Sequence, residues 1–276
     1  MKLAQIYHQN RLYVAEVVGE KLLPLNHDGY MIELIQKEHF PDKVENLSIP
    51  IQSATFFPPI LNPSKIIALG LNYMDHASEG NVEIPKTPLV FTKFSSSLTA
   101  HKQCICWETS ITKQVDYEAE LAVIIGKRVN KCSVEKAHDY IWGYTCANDV
   151  SARDLQFGDG QWVRGKSLDT FCPLGPWVVL KDELESPNSL DIQCRVNGKI
   201  MQNSNTDKMI FSVFELVSFL SYHFTLYPGD VILTGTPEGV GAFRKPPYYL
   251  KDGDTIDVEI ESIGCLSNTT VVKNSD

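Results

Sequence analysis

The sequence predicts a mostly β protein of the α+β class, folded as a mixed β-roll or β-sandwich with few helices. Short runs rich in Val, Ile and aromatic residues recur along the 276-residue chain, and such runs are typical of strands. Segments with helical character are few and irregularly placed. They do not form the alternating series of strands and helices that a parallel α/β sheet requires.

The first sixty residues are predicted to form a small β-rich accessory domain. Its expected elements are two strands joined by a polar turn and one short helix, at residues 2–7, 11–18 and 31–37. The proline-rich segment 57–63 is expected to be a stiff connector. We therefore place an accessory domain at 1–60 and a catalytic domain at 61–276.

Strands dominate the chain beyond residue 60. Asn197-Gly198 between two of them is typical of a type I′ hairpin turn. The predicted strands are 65–68, 89–93, 120–125, 142–147, 177–180, 190–196, 199–201, 230–234 and 255–260.

Two helices are expected among these strands. Ser133 is a plausible N-cap for a short helix that ends at Tyr140. The segment 209–224 is apolar enough for a mostly buried helix, with Thr206 or Asp207 as its expected N-cap.

Composition and charge exclude several functional classes. A net charge of −9 with scattered basic residues disfavours nucleic-acid binding. No apolar run approaches the roughly 18 residues of a membrane span, and the start of the chain does not resemble a signal peptide, so we expect a cytoplasmic protein without membrane association. The seven cysteines form no Cys-x-x-Cys pair, which favours reduced thiols.

Glu118 and Glu120 are the most informative residues of the chain. The apolar run that follows them predicts a buried strand, whose side chains alternate between faces. Both carboxylates should therefore leave the same face, where they raise each other's pKa unless a proton or a cation neutralises them. A divalent metal satisfies this requirement. The alternative is that the pair lies on the solvated face of an edge strand.

Asp149 is the best candidate for a third acidic ligand, because it follows a predicted strand. The ends of strands present side chains to clefts on a rigid backbone. Three carboxylates suit Mg²⁺ or Mn²⁺, which prefer hard oxygen ligands. The alternative for an aspartate before a turn is a helix cap.

Lys166 lies among apolar and small residues, where a lysine is less expected. A positive side chain near a metal polarises a carbonyl group or stabilises a developing enolate. The alternative is a surface lysine whose aliphatic stem packs on the protein.

His76 and Glu79 are spaced to share one face of a helical turn. The glutamate would then orient the imidazole, which would take a proton from water. The alternative is an exposed structural pair.

The loop that contains Thr236 follows a predicted strand and lacks the ending of a phosphate-binding P-loop. Its glycines and the Thr236 hydroxyl would offer hydrogen-bond donors to a small carboxylate. A tight turn that needs positive φ explains the same glycines equally well.

The sequence resembles the fumarylacetoacetate hydrolase family over roughly residues 60 to 265. The blocks that carry the resemblance occur in the family's order. They are Gly70-Leu71-Asn72-Tyr73 with His76 and Glu79, Asp116-Tyr117-Glu118-Ala119-Glu120-Leu121, Asn148-Asp149-Val150-Ser151-Ala152-Arg153-Asp154, Lys166-Ser167 with 169–176, and 228–237.

The resemblance implies a homodimer whose β-roll catalytic domain binds Mg²⁺ or Mn²⁺. A small 2-oxo acid, or its enol, would chelate this metal. The implied metal ligands are Glu118, Glu120 and Asp149. The implied catalytic residues are Lys166 and a His76–Glu79 dyad on a mobile lid, and the implied substrate contacts are Arg153, Gln156 and Thr236.

The expected activity is C–C bond cleavage in short 2-oxo acids through a metal-chelated enolate, either acylpyruvate hydrolysis or oxaloacetate decarboxylation. An alternative is isomerisation or decarboxylation of a longer 2-oxo or 2-hydroxy-dienedioate in aromatic catabolism. A non-catalytic, metabolite-binding dimer is a third reading, which the intact set of chemical residues disfavours. The segment 94–103 departs from the family's usual Pro- and Gly-containing stretch, so the resemblance does not fix the substrate.

Overall fold

The computed structural model describes residues 1–37, 39–80 and 83–273. Strands β1–β19 span, in chain order, Lys2–His8, Arg11–Val18, Lys21–Pro24, Ile49–Pro50, Thr55–Phe56, Ile66–Gly70, Leu89–Lys93, Leu98–Thr99, Cys104–Glu108, Val115–Asp116, Ala119–Ile125, Ile141–Asn148, Ser151–Ala152, Cys172–Leu180, Asp191–Val196, Lys199–Asn205, Val231–Leu233, Thr255–Ile260 and Gly264–Lys273. Helices α1–α4 span Met74–Glu79, Arg153–Asp159, Val163–Lys166 and Val213–His223. Short 3-10 turns span Met31–Leu34, Ile51–Ser53, Ser95–Ser97, Val134–Tyr140, Lys181–Glu183, Thr206–Lys208 and Gly241–Phe243. The expected mostly β class with few helices is confirmed.

Two large sheets enclose the main core. The first runs in the order β4-β3-β2-β1-β14-β12-β11-β17-β6-β7, and the second in the order β16-β15-β18-β19-β9. The first is mixed, because β17 and β6 are parallel while most other pairs are antiparallel. Val123 and Tyr144 of the first sheet share a core cluster with Val258 of the second and with Leu216 of α4. Strands β11 and β12 lie inside the first sheet, and every residue of both is buried.

The N-terminal strands extend the first sheet, because β1 pairs antiparallel with β14. Leu3 and Val14 pack in one buried cluster with Leu233 of β17. The division into domains at 1–60 and 61–276 stays a prediction.

Helix α4 begins later than the sequence predicts. Ser212 is its N-cap, and its hydroxyl and the Glu215 carboxylate form a capping box, so the expected start at 209 was wrong. Thr206 and Asp207 were wrong as caps, because they lie in a separate 3-10 turn.

Strands β9 and β19 were not predicted. Two inward-facing positions of β19 are the polar residues Asn268 and Thr270, which hides the alternation of apolar residues. The Asn268 amide donates to the carbonyls of Ala100 and Gln103 at 2.8 Å, which satisfies the buried polar group.

Two further sequence expectations concern cysteine and membranes. All seven cysteines are free thiols. Within the described ranges, no helix has the length and apolar character needed to cross a membrane.

His101 makes the stability of the fold sensitive to acid. Its ring lies edge-on to Phe56 at 5.0 Å, and its Nδ1 accepts from the Ser267 amide at 3.0 Å. Burial, assisted by Lys102, lowers the pKa of His101 from 6.5 to about 4. Below pH 6.5 the unfolded chain therefore takes up a proton that the folded protein does not. The free energy of unfolding should fall by up to about 3 kcal/mol as the pH drops from 6.5 toward 4.

Urea unfolding at a series of pH values measures this effect. His101→Gln should flatten the pH dependence, whereas the same change at exposed His39 should leave it unaltered. An equal slope in wild type and His101→Gln would contradict the assignment.

Candidate metal centre and active site

Strands β11 and β12 bring three acidic side chains together. Glu118 immediately precedes β11, Glu120 lies within it, and Asp149 follows β12. The Asp149 amide donates to the Glu118 carbonyl at 2.9 Å, which fixes these two residues side by side. Glu118, Glu120 and Asp149 are buried and each offer a carboxylate oxygen within 4.8 Å of the others. The solvated edge-strand alternative does not describe this pair.

Three buried cations surround these carboxylates. Lys166 Nζ donates to Glu118 Oε2 and Asp149 Oδ2, both at 2.7 Å. Arg153 Nη1 lies 2.7 Å from Glu118 Oε1. Lys93 Nζ donates to Asp149 Oδ1 at 2.5 Å. Lys166 is only 1 % exposed, so the alternative interpretation of a surface lysine is wrong.

The sequence interpretation missed Lys93. The residue ends the apolar strand β7, and its side chain is fully buried. A lysine that closes an apolar strand was the available signal, since buried lysines are rare unless paired.

The protonation of Glu118 and Glu120 differs because their partners differ. Burial would raise the pKa of Glu118, but Lys166 and Arg153 outweigh it and hold that pKa at about 2. Burial, Asp149 and Glu118 all raise the pKa of Glu120 well above its usual range. A divalent cation would relieve the repulsion that Glu120 experiences.

One carboxylate oxygen of Glu120 is available to bind a metal ion. Its Oε2 accepts from the Gly235 amide at 2.7 Å, while its buried Oε1 has no hydrogen-bond partner among the described residues. Three buried carboxylates, one of them with a free oxygen, fit a hard divalent cation such as Mg²⁺ or Mn²⁺.

Arg153 is held by a carboxylate that sequence reasoning did not single out. The buried Asp116 accepts from Arg153 Nε at 2.9 Å, and from the amides of Gly241 at 2.8 Å and Ala242 at 2.9 Å. Arg153 Nη1 also donates to Gln156 Oε1 at 2.9 Å. Asp116 thus fixes both the arginine and the loop that contains Gly241 and Ala242.

Helix α3 presents Lys166 because Gly165 allows it to approach α2 closely. A Cβ at Gly165 would lie 2.7 Å from the Gln156 amide nitrogen and 2.8 Å from the Ala152 carbonyl oxygen. Glycine is therefore required for this approach.

His76 and Glu79 lie on the short helix α1, as their spacing indicates. His76 Nδ1 is 3.4 Å from Glu79 Oε2, and the Glu79 carboxylate accepts from the Gly239 amide at 3.0 Å. The His76 ring stacks on Phe243 with centroids 5.5 Å apart. His76 is only 7 % exposed, so the reading of an exposed pair does not describe it.

The backbone is strained where β6 leads into α1. Leu71 has a φ of 53°, in the left-handed region that large side chains rarely adopt. The side chain of the next residue, Asn72, fixes this geometry. Its Nδ2 donates to the Thr234 carbonyl at 2.7 Å, and its Oδ1 accepts from the Phe211 backbone amide at 2.9 Å.

A cavity of about 180 Å³ connects these groups. Polar side chains that line it are His76, Glu118, Arg153, Gln156, Lys166 and Thr236. Apolar side chains, including Leu71, Phe91, Trp162 and Phe243, line the remainder. Most of the expected site residues therefore share one cavity, with Glu79 bonded to His76 and with Glu120 and Asp149 beside Glu118.

The chain is a mixed β protein with a buried, charged cavity, and comparisons with known proteins identify its family. The family profile described as fumarylacetoacetate (FAA) hydrolase, C-terminal, matches residues 65–272. A Rattus norvegicus protein named oxaloacetate tautomerase Fahd2a, mitochondrial, is 49% identical over 224 residues, covering 81% of this chain and 71% of the relative. The chain belongs to the fumarylacetoacetate hydrolase family.

Solved structures agree with this membership. A fumarylacetoacetate hydrolase from Exiguobacterium antarcticum has a TM-score of 0.90 at 36% identity, covering 99% of this chain and 100% of that one. A maleylpyruvate hydrolase from Sphingobium sp. SYK-6, solved with manganese (II) and pyruvate, has a TM-score of 0.81 at 28% identity and covers 99% of each chain.

Glu120→Gln should separate metal binding from stability. Gln imitates the protonated carboxyl group in shape and charge, so the metal-free variant should unfold within about 1 kcal/mol of wild type. Its affinity for Mn²⁺ should fall more than about 100-fold, beyond the usual effect of losing an outer hydrogen-bond partner. Electron paramagnetic resonance of free Mn²⁺ and thermal unfolding in EDTA measure the two quantities.

Glu108→Gln on the exposed end of β9 is the matched control and should bind Mn²⁺ as wild type does. Unchanged Mn²⁺ affinity in Glu120→Gln would remove Glu120 from the metal centre.

Proposed function

We propose that this protein is a divalent-metal-dependent enzyme that interconverts the keto and enol forms of oxaloacetate or a similar short 2-oxo acid. The observation that carries the proposal is the shared cavity, in which the His76 imidazole and the cations Lys166 and Arg153 surround one small space. The name of the rat relative, oxaloacetate tautomerase, supports this reaction.

Glu118, Glu120 and Asp149 would hold Mg²⁺ or Mn²⁺. The free oxygen of Glu120 and the raised pKa of its carboxyl group support this role. A bound divalent cation would supply Lewis acidity that favours negative charge on the 2-oxo oxygen of the substrate.

Positive side chains would bind and orient the substrate. Burial alone would lower the pKa of Lys166, yet Asp149 and Glu118 raise it above its ordinary value, so its ammonium group persists beside developing enolate charge. Asp116 holds Arg153 rigidly, which keeps its charge beside the cavity. Gln156 and Thr236 line the same space and would complete the polar contacts.

His76 would move the proton. In the keto-to-enol direction it would take a proton from C3 of the substrate and give it to the 2-oxo oxygen, and in the reverse direction it would take the hydroxyl proton of the enol and return it to C3. Glu79, fixed by the Gly239 amide, holds one ring nitrogen and leaves the other for the substrate. Stacking on Phe243 restricts the ring plane.

C–C bond cleavage is the second candidate, favoured by the same dyad. His76 oriented by Glu79 is suited to activate water, as acylpyruvate hydrolysis requires. Loss of CO₂ from oxaloacetate would produce an enolate stabilised by the same cations. Phe91 and Trp162 line the cavity of about 180 Å³ and would set the length of the substrate.

A homodimer and a cytoplasmic location remain part of the proposal and rest on the sequence. The name of the rat relative carries the word mitochondrial.

Absorbance of the oxaloacetate enol, followed with coupled detection of pyruvate, distinguishes the two reactions. Wild type with Mg²⁺ should speed the decay of the enol signal without matching release of pyruvate. His76→Gln should slow this decay about 100-fold or more, because a positioned general base contributes that much.

His223→Gln at the exposed end of α4 should retain wild-type activity. Pyruvate released at the rate of enol decay would replace tautomerisation with decarboxylation. No effect on either signal, despite bound metal, would contradict both reactions.

Trp162 should limit the length of the substrate. Its ring covers Gly70, where a Cβ would lie 2.5 Å from it, and meets Phe91 edge-on at 5.2 Å. Beyond these rings lies a groove of about 580 Å³ that Leu89 and Phe94 also line. Trp162→Ala should join the groove to the cavity. The kcat/KM for 2-oxo acids with longer 4-acyl chains should then rise about 10-fold relative to the kcat/KM for those with short chains.

Phe94→Ala changes only the groove side and serves as the control. If the ratio of kcat/KM for long-chain to short-chain substrates is the same in Trp162→Ala and Phe94→Ala, Trp162 does not limit the length of the substrate.

A further inference from the structure

We propose that Lys93 is a positioning residue that makes Asp149 a one-oxygen ligand and raises the affinity of the site for a divalent cation. This inference rests on the metal centre of the proposed function. It assigns a role to a side chain that lies outside the catalytic cavity.

The two oxygens of Asp149 face different partners. Lys166 Nζ bonds Asp149 Oδ2 and Glu118 Oε2 at the same 2.7 Å, so Oδ2 faces the other carboxylates. Oδ1 accepts instead from Lys93 Nζ at 2.5 Å. Lys93 therefore holds Oδ1, while Oδ2, which Lys166 also contacts, is the oxygen that would face a metal.

Lys93 is itself rigidly placed. It pairs with Ile66 in the β6–β7 ladder, and its Nζ also donates to the Val150 carbonyl at 3.3 Å. The side chains of Lys93 and Asp149 are both 0 % exposed. Because desolvation offsets much of the attraction within a buried charge pair, the contribution expected of this pair is the fixed position of Asp149 rather than net stability.

Lys93 also sets the charge of the filled site. Four buried carboxylates, Asp116, Glu118, Glu120 and Asp149, face three buried cations, Lys93, Arg153 and Lys166. With all of them ionised, a divalent cation gives this group a net charge of plus one, which suits an anionic substrate. Without Lys93 the group would be neutral.

Mn²⁺ titration of the full-length protein, followed by electron paramagnetic resonance, tests the role directly. Lys93→Met should weaken Mn²⁺ binding about 10- to 100-fold, the usual effect of losing an outer partner of a metal ligand. Lys93→Gln retains a donor without the charge and should bind with intermediate affinity. It also keeps the test valid if Lys93→Met does not fold.

Lys65→Met is the matched control, since it breaks an ion pair to a buried carboxylate elsewhere, that of Asp230 at 2.7 Å. It should lower the unfolding temperature in EDTA and leave Mn²⁺ affinity unchanged. A purely structural Lys93 would behave in the same way.

Wild-type or tighter Mn²⁺ affinity in a folded Lys93 variant would therefore overturn the positioning role while leaving the metal centre intact. Absence of Mn²⁺ binding by the wild type would overturn the metal centre, and this inference with it.

Discussion

The burial of like charge at one end of β11 and β12 is the constraint on which the rest of the site depends. Glu118, Glu120 and Asp149 are buried, and each has a carboxylate oxygen within 4.8 Å of the others. Such a group persists in a folded protein only when cations or protons compensate it. Lys93 arrives from β7 and Lys166 from α3, so distant parts of the chain must pack correctly before the charges balance.

The backbone amides of a single loop position several side chains of the site. Within residues 235–242, the Gly235 amide donates to Glu120 and the Gly239 amide donates to Glu79. The amides of Gly241 and Ala242 donate to Asp116, which in turn fixes Arg153. The loop thus connects Glu120 of the acidic cluster, the His76–Glu79 pair and Arg153. Backbone amides are suited to this task because they bring no side-chain entropy cost.

Local sequence patterns predicted some of the site residues, and long-range packing determines the positions of the others. The spacing of Glu118 and Glu120 predicted their common face, and the spacing of His76 and Glu79 predicted a helical turn, since both depend on local periodicity. Lys93 and its partner Asp149 lie on separate segments, so no window of sequence contains the pair. The start of α4 was misjudged because apolar residues precede the Ser212 cap, and β19 was missed because its inward polar groups have partners elsewhere in the fold.

The left-handed backbone conformation of Leu71 influences when this part of the chain becomes ordered during folding. A large residue at a φ of 53° costs on the order of 1 kcal/mol, and that cost arises locally. The bonds that offset it reach from Asn72 to Thr234 and Phe211, far along the chain. Leu71 and Asn72 therefore gain little by ordering early in folding, because the bonds that compensate the strain exist only after the C-terminal half has assembled. The approach to the cavity should therefore be among the last segments to become ordered during folding.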